Sequence, residues 1–137
     1  MATEFSIVDP DAIEPQAFPE SGMLHRQLTA ALGCTDMRVN AVTLRPGESL
    51  AEHAHERQEE VYVSLTGGSV VVDGEPYEVP DGGVVRLGPS CRRYVMNPSA
   101  DEIHRWLMFG APPVGSIDDY GEYVVPGKPA DDARTST

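Results

Sequence analysis

At 137 residues and with only two cysteines, the chain is long enough to bury a core of its own without disulfide support and is expected to form one domain. Its 22 Asp and Glu against 10 Lys and Arg give a formal net charge of -12, which excludes nucleic acid as an expected partner, and no apolar stretch approaches membrane-spanning length. Thirteen glycines and twelve prolines beside 40% hydrophobic residues suit short strands joined by tight turns rather than a helical bundle, so an all-β fold is expected.

Residues 1–20 carry Pro10, Pro15 and Pro19 among acidic residues, which forbids a long helix. An extended arm is expected there, with one edge strand near Phe5 to Val8. The opening residues lack a basic start and a continuous apolar run, so no targeting segment is expected and the chain is read as cytoplasmic. From Leu24 to Leu32, the apolar residues Leu24, Leu28, Ala31 and Leu32 recur at helical spacing, yet the stretch is short and ends at Gly33. A helical turn and a strand both remain open. Residues 1–36 are accordingly read as an N-terminal arm and edge segment, 37–112 as the core of the domain and 113–137 as a C-terminal extension.

From residue 37 the punctuation becomes regular. MRVNAVTL, ESLAEHAH, EVYVSL, SVVV, PYEV, VVRL, RRYVMN and EIHRWLMF are each of strand length, and turn signals such as Pro46-Gly47, Gly67-Gly68, Asp73-Gly74 and Asn97-Pro98 separate most of them. Such spacing predicts an antiparallel sandwich or barrel. The polar tail, with Pro126 and Pro129, reads as a loosely held extension. Positive charge is confined to nine arginines and Lys128, a balance that keeps a protein hydrated in concentrated salt and is read as halophilic, the alternative being an ordinary acidic protein. Cys34 and Cys91 lack a metal or disulfide spacing and are expected to be reduced.

In ESLAEHAH, His53 and His55 are two apart on a predicted strand, so both imidazoles emerge on one face. In EVYVSL, Glu60, Tyr62 and Ser64 share a face, and if the strands are neighbours Glu60 can meet both histidines. Two neutral imidazoles and one carboxylate would leave open positions on a metal ion for water, substrate or dioxygen. The bland alternative is a polar cluster lining a barrel mouth.

The segment GESLAEHAHERQEEVYVSLTG resembles the first motif of the cupin family, with Gly47, then His53 and His55, then Glu60, then Gly67 at the family's intervals. The resemblance implies a cupin double-stranded β-helix barrel of jelly-roll type with a divalent metal ion (Fe, Mn, Ni or Zn) on His53, His55 and Glu60; a homodimer is expected because small barrels often bury an apolar face against a second copy. It also selects Glu60 over the adjacent Glu59, because only Glu60 places Gly67 at the right interval. The family's second motif is incomplete. Gly74 and Asn97 fit, but aligning GPSCRRYVMN on Asn97 puts Arg93 where a fourth, histidine ligand is expected and Ser90 where a glycine is expected.

Arg cannot coordinate a cation because it stays protonated. At about 4 Å from a divalent ion it would cost roughly 8 kcal/mol at an effective dielectric of 20 before any offset. Three outcomes stay open: Arg93 turns away and three ligands suffice; Arg93 binds the carboxylate or phosphate of a substrate that bridges to the metal; or no metal is held. Arg93 and Tyr62 are therefore the candidate substrate-binding residues, against plainer roles as a plug or surface ion pair and as cavity wall. Cys91 could supply a substitute thiol ligand, while His104, sharing a face with Trp106 and Met108, is read as a packing residue. Trp106, Met108 and Phe109 are assigned to the core or a dimer interface. His25 is assigned nothing.

Similar barrels host oxygenases, isomerases, sensors and proteins with no catalysis. The leading expectation is a metal-binding cupin acting as an oxygenase- or isomerase-type enzyme on a small anionic molecule. The alternative is a metal-free ligand-binding or regulatory cupin with Arg93 in place of the metal's charge. A third reading is a structural dimer without a cavity function.

Overall fold

The computed structural model describes residues 4–18 and 21–113. These carry nine strands: β1 (Gln16–Ala17), β2 (Leu24–Gln27), β3 (Arg38–Leu44), β4 (Glu59–Ser64), β5 (Gly68–Val72), β6 (Glu75–Val79), β7 (Val84–Leu87), β8 (Arg93–Met96) and β9 (His104–Ala111). The only α-helix among the described residues, α1, is the single turn Thr29–Leu32, and a 3-10 turn covers Pro10–Ala12. The strands pair antiparallel into two sheets, one ordered β1-β2-β3-β9-β4-β7 and the other β6-β5-β8. The all-β expectation holds. Asp73-Gly74 makes the two-residue hairpin between β5 and β6, with φ of 48° and 86°, the left-handed pair that matches strand twist.

Val42, Leu44 and Trp106 from the larger sheet meet Val70, Val79 and Val95 from the smaller one in a single core. Across β3, β9 and β4 the inward residues lie in register rows: Val42, Trp106 and Ser64; then Asn40, Met108 and Tyr62; then Arg38, Gly110 and Glu60. The interior of that sheet thus runs from apolar at the Trp106 row to polar at the Glu60 row. That gradient places the cavity at one end of the barrel.

Several elements differ from the sequence reading. Phe5 to Val8 form no strand; instead β2 pairs on β3 and β1 on β2, extending the larger sheet. Leu24–Leu32 is both alternatives in succession, strand β2 and then helix α1, which Gly33 ends at φ 80°. ESLAEHAH is not a regular strand: it touches β8 through isolated bridges at Ser49 and His53. The reason is the Gly88 to Cys91 turn, closed by Cys91 N–H donating to Gly88 O, which ends regular pairing beyond Arg93 and leaves His55 N–H to Pro89 O. Residues 114–137, most of the expected extension, lie outside the described residues.

Asn97, the asparagine that fits the second motif, locks the connection. Its Nδ2 donates to Leu44 O (3.0 Å) and Glu102 O (2.7 Å), and its Oδ1 accepts from Ser99 N–H (3.0 Å). A buried side chain of this kind ties the end of β3 to the loop before β9.

Candidate metal centre

His53 and Arg93 exchange both backbone hydrogen bonds (3.0 and 2.9 Å), so they stand directly opposite each other across the bridge with side chains on one face. His55 follows two residues on, and the two rings meet edge to face at 5.1 Å. Glu60 enters from β4. The broken strand still brings the three expected ligands together, with one donor atom from each of His53, His55 and Glu60 all within 4.8 Å of one another. No other such group of metal-ligating side chains occurs among the described residues.

The spacing suits an ion. Ligands bonded to one ion at 2.0–2.2 Å are about 3 to 3.5 Å apart, and here His55 Nε2 and His53 Nε2 lie 3.5 and 3.8 Å from Glu60 Oε1. His53 Nδ1 is 3.3 Å from Ala51 O; in the tautomer that donates this bond, Nε2 presents its lone pair toward the carboxylate. Three electron-pair donors converging on one point can hold a cation. The residues present fit a divalent ion held by three protein ligands.

Protonation agrees with that role. Burial pushes His53 below its ordinary value despite the opposing pull of Glu60, which keeps the imidazole neutral. Burial alone would raise Glu60, but His53 and His55, in the forms that carry a proton on Nε2, hold it well below the usual carboxylate range by hydrogen bonding and charge, the part a bound cation would take over. Burial, reinforced by the Glu60 charge, raises Tyr62 well above the ordinary phenol value. The Tyr62 hydroxyl therefore stays protonated and donates to Glu60 Oε1 at 2.9 Å.

Arg93 is fully buried and its guanidinium is engaged on every side. Nε and Nη2 donate to Glu60 Oε1 (3.2 and 3.1 Å), and Nη1 donates to the carbonyls of Gly88, Pro89 and Cys91 (3.3, 3.0 and 2.6 Å). It occupies the face of the missing fourth ligand but holds the carboxylate from beneath, outside the cavity lining. Cys91 points elsewhere, its Sγ 3.2 Å from Gly88 O, and His104 pairs across from Leu44 in the apolar half of the barrel.

A cavity of about 50 Å³ opens beside the cluster, lined by His53, His55, Glu60 and Tyr62 together with residues that motif reading missed: Phe18, Thr29, Arg38, Asn40 and Gln58 among them. The signal for two of these was in RVNAVTL, where Arg38 and Asn40 share parity with Val42 and Leu44 and so face inward. For Phe18 and Thr29 no local signal exists, because only the pairing of β2 onto β3, and of β1 onto β2, brings that segment over the cavity.

The cupin domain family matches residues 40–110 of the chain. Among solved structures, a cupin protein from Bacteroides fragilis aligns with a TM-score of 0.66 at 21% identity over 87% of this chain and 92% of its own. A sugar phosphate isomerase from Silicibacter pomeroyi aligns at 0.67 and 20% over 77% and 75%, and a predicted oxalate decarboxylase from Thermotoga maritima at 0.65 and 20% over 78% and 99%. Likeness at this level of identity establishes the jelly-roll barrel. No curated protein matches the chain.

Proposed function

The chain belongs to the cupin domain family, and from that premise we propose that it is a metal-dependent cupin that binds one divalent ion through His53, His55 and Glu60 and acts on a small anionic molecule. The observation that supports this most directly is the convergence of the three donor atoms within 4.8 Å beside a small cavity. A bound ion would supply Lewis acidity to a ligand oxygen. His53 and His55 would hold it as neutral donors; Tyr62 and Arg93 fix the orientation of Glu60, so Arg93 is a positioning residue in this reading. Similar barrels that include a sugar phosphate isomerase and a salicylate 1,2-dioxygenase make isomerase- or oxygenase-type chemistry on a small anion the natural class to screen.

One observation favours a second reading. Arg93 already neutralises Glu60 at 3.1 Å, which is what a metal-free ligand-binding cupin would need. Elemental mass spectrometry separates the two, on protein purified without an affinity tag in molar salt and reconstituted with Fe, Mn, Ni or Zn. Near-stoichiometric metal that disappears in His53→Ala and Glu60→Ala supports the metal enzyme. Absence of metal after reconstitution rejects it in favour of the metal-free reading.

A further inference from the structure

The two oxygens of Glu60 are treated differently by their surroundings. Tyr62 and two nitrogens of Arg93 donate to Oε1, and Nε2 of His55 and of His53 lie 3.5 and 3.8 Å from the same atom. Among the described residues the hydrogen-bond partner of Oε2 is Gln58, whose Nε2 faces it at 3.5 Å. Gln58 precedes β4 by one residue, is 2% exposed, and was not singled out by any motif.

Two constraints fix the amide of Gln58. Its Oε1 accepts from Arg38 Nη1 at 2.7 Å, so the end left for Glu60 is the donor. The flipped amide would set its NH2 group against a guanidinium and its oxygen against a carboxylate, two contacts of like polarity. The second constraint is space. Arg38 on β3 and Glu60 on β4 both pair with Gly110 on β9, so their backbones are two strand spacings apart, about 10 Å, and Gln58 fills the gap over the glycine. A Cβ at Gly110 would lie 2.6 Å from Gln58 Nε2 and 2.8 Å from its Cδ. Arg38, Gln58 and Glu60 thus form a buried bridge along the polar end of the larger sheet, and all three line the cavity.

We infer that Gln58 is a positioning residue for Glu60: anchored by Arg38, it engages Oε2 so that the carboxylate turns only Oε1 toward His53 and His55. The bridge itself needs no ion. Its consequence for an ion rests on the metal reading above: a carboxylate whose second oxygen is held by a hydrogen bond ligates through one oxygen rather than two. One more coordination position then stays open to a molecule in the cavity.

Nuclear magnetic resonance on the metal-free full chain tests the bridge, and Mn(II) titration of the same samples tests its consequence, with folding verified by near-UV circular dichroism. The side-chain amide signals of Gln58, assigned by their loss in Gln58→Met, should exchange with water at least about tenfold more slowly than those of the exposed Gln16. They should also shift in Glu60→Gln. Gly110→Ala keeps every donor and candidate ligand and takes only the space of Gln58, so it should abolish that protection. In both Gln58→Met and Gly110→Ala, Mn(II) should bind about 10- to 100-fold more weakly. Water proton relaxation should then report about one bound water fewer than in wild type, as Glu60 turns both oxygens to the ion, a change that a merely structural role for Gln58 would not produce. Gln58 signals that exchange as fast as those of Gln16 overturn the inference, as does an unchanged water count in folded Gln58→Met. A wild type that takes up no ion but protects the Gln58 amide rejects the metal reading and leaves the bridge to Glu60 standing.

Discussion

Replacing Arg93 with histidine restores the side chain that the second cupin motif calls for, and should move metal affinity and metal-free stability in opposite directions. The guanidinium Nη2 lies 3.1 Å from Glu60 Oε1, so an ion bonded to that carboxylate would be about 5 Å from a full positive charge. At an effective dielectric of 20, a double and a single charge at that separation repel by about 7 kcal/mol. Relaxation and the compensating charge of Glu60 leave on the order of 3 kcal/mol to be relieved, about two decades in Kd. In the metal-free protein the same change leaves Glu60 buried without its cation, a loss of about 3–5 kcal/mol. That corresponds to a fall in Tm of roughly 10–15 °C. Thermal unfolding with and without saturating metal, together with chelator competition for Kd, reads both effects; Arg93→Met isolates the charge term and should fall between wild type and Arg93→His in affinity. A folded Arg93→His variant with unchanged metal-free Tm and a Kd within about threefold of wild type would refute the reasoning.

Asn97→Ala should destabilise the fold by about 3 kcal/mol in urea titrations, because it strips two carbonyls, Leu44 O and Glu102 O, of their donor; a change under about 0.5 kcal/mol would contradict the locking role. His25 is buried, stacked on Phe18 at 3.7 Å, and burial lowers it from 6.5 to about 4 against the opposing hydrogen bond with Gln16. The unfolded chain therefore binds the proton first as pH falls, so stability is complete above about pH 6.5 and declines toward pH 4 by on the order of 3 kcal/mol. His53 is lowered in the same direction, so His25→Gln should flatten the decline measured by urea melts at pH 7, 5.5 and 4.5 without abolishing it. An unaltered slope in that variant would place the titration elsewhere. With a net charge of -12, raising NaCl from about 0.1 M to about 2 M, which shortens the screening length from about 10 Å to under 3 Å, should raise Tm; a flat or falling Tm would remove the halophilic reading.

Much of the barrel was written locally. Turn chemistry at Asp73-Gly74, Gly67-Gly68 and Asn97-Pro98, with period-two alternation between them, depends on residues that are near neighbours in the chain, and β4 to β9 appear where those signals put them. The candidate ligands were legible for the same reason: His53 and His55 are two residues apart, and the interval to Glu60 carries the family pattern. Regular strand geometry through His53 was not legible. It depends on what β8 offers as a partner, and the Gly88 to Cys91 turn withdraws that partner.

What only the tertiary structure decided is how the inward-facing polar residues are shared between the site and its support. The sequence by itself determined an all-β barrel, its principal turns and a His53, His55 and Glu60 cluster, because these follow from backbone periodicity and short-range spacing. It could not assign Arg93 to the underside of Glu60 and Arg38 to the cavity wall. Those positions are 33 and 22 residues from Glu60 along the chain, and their environments are set by register across β3, β9 and β4 and by the His53 bridge to β8. A side chain's charge is a property of its residue type, whereas the partners that use that charge are chosen by which strands become neighbours.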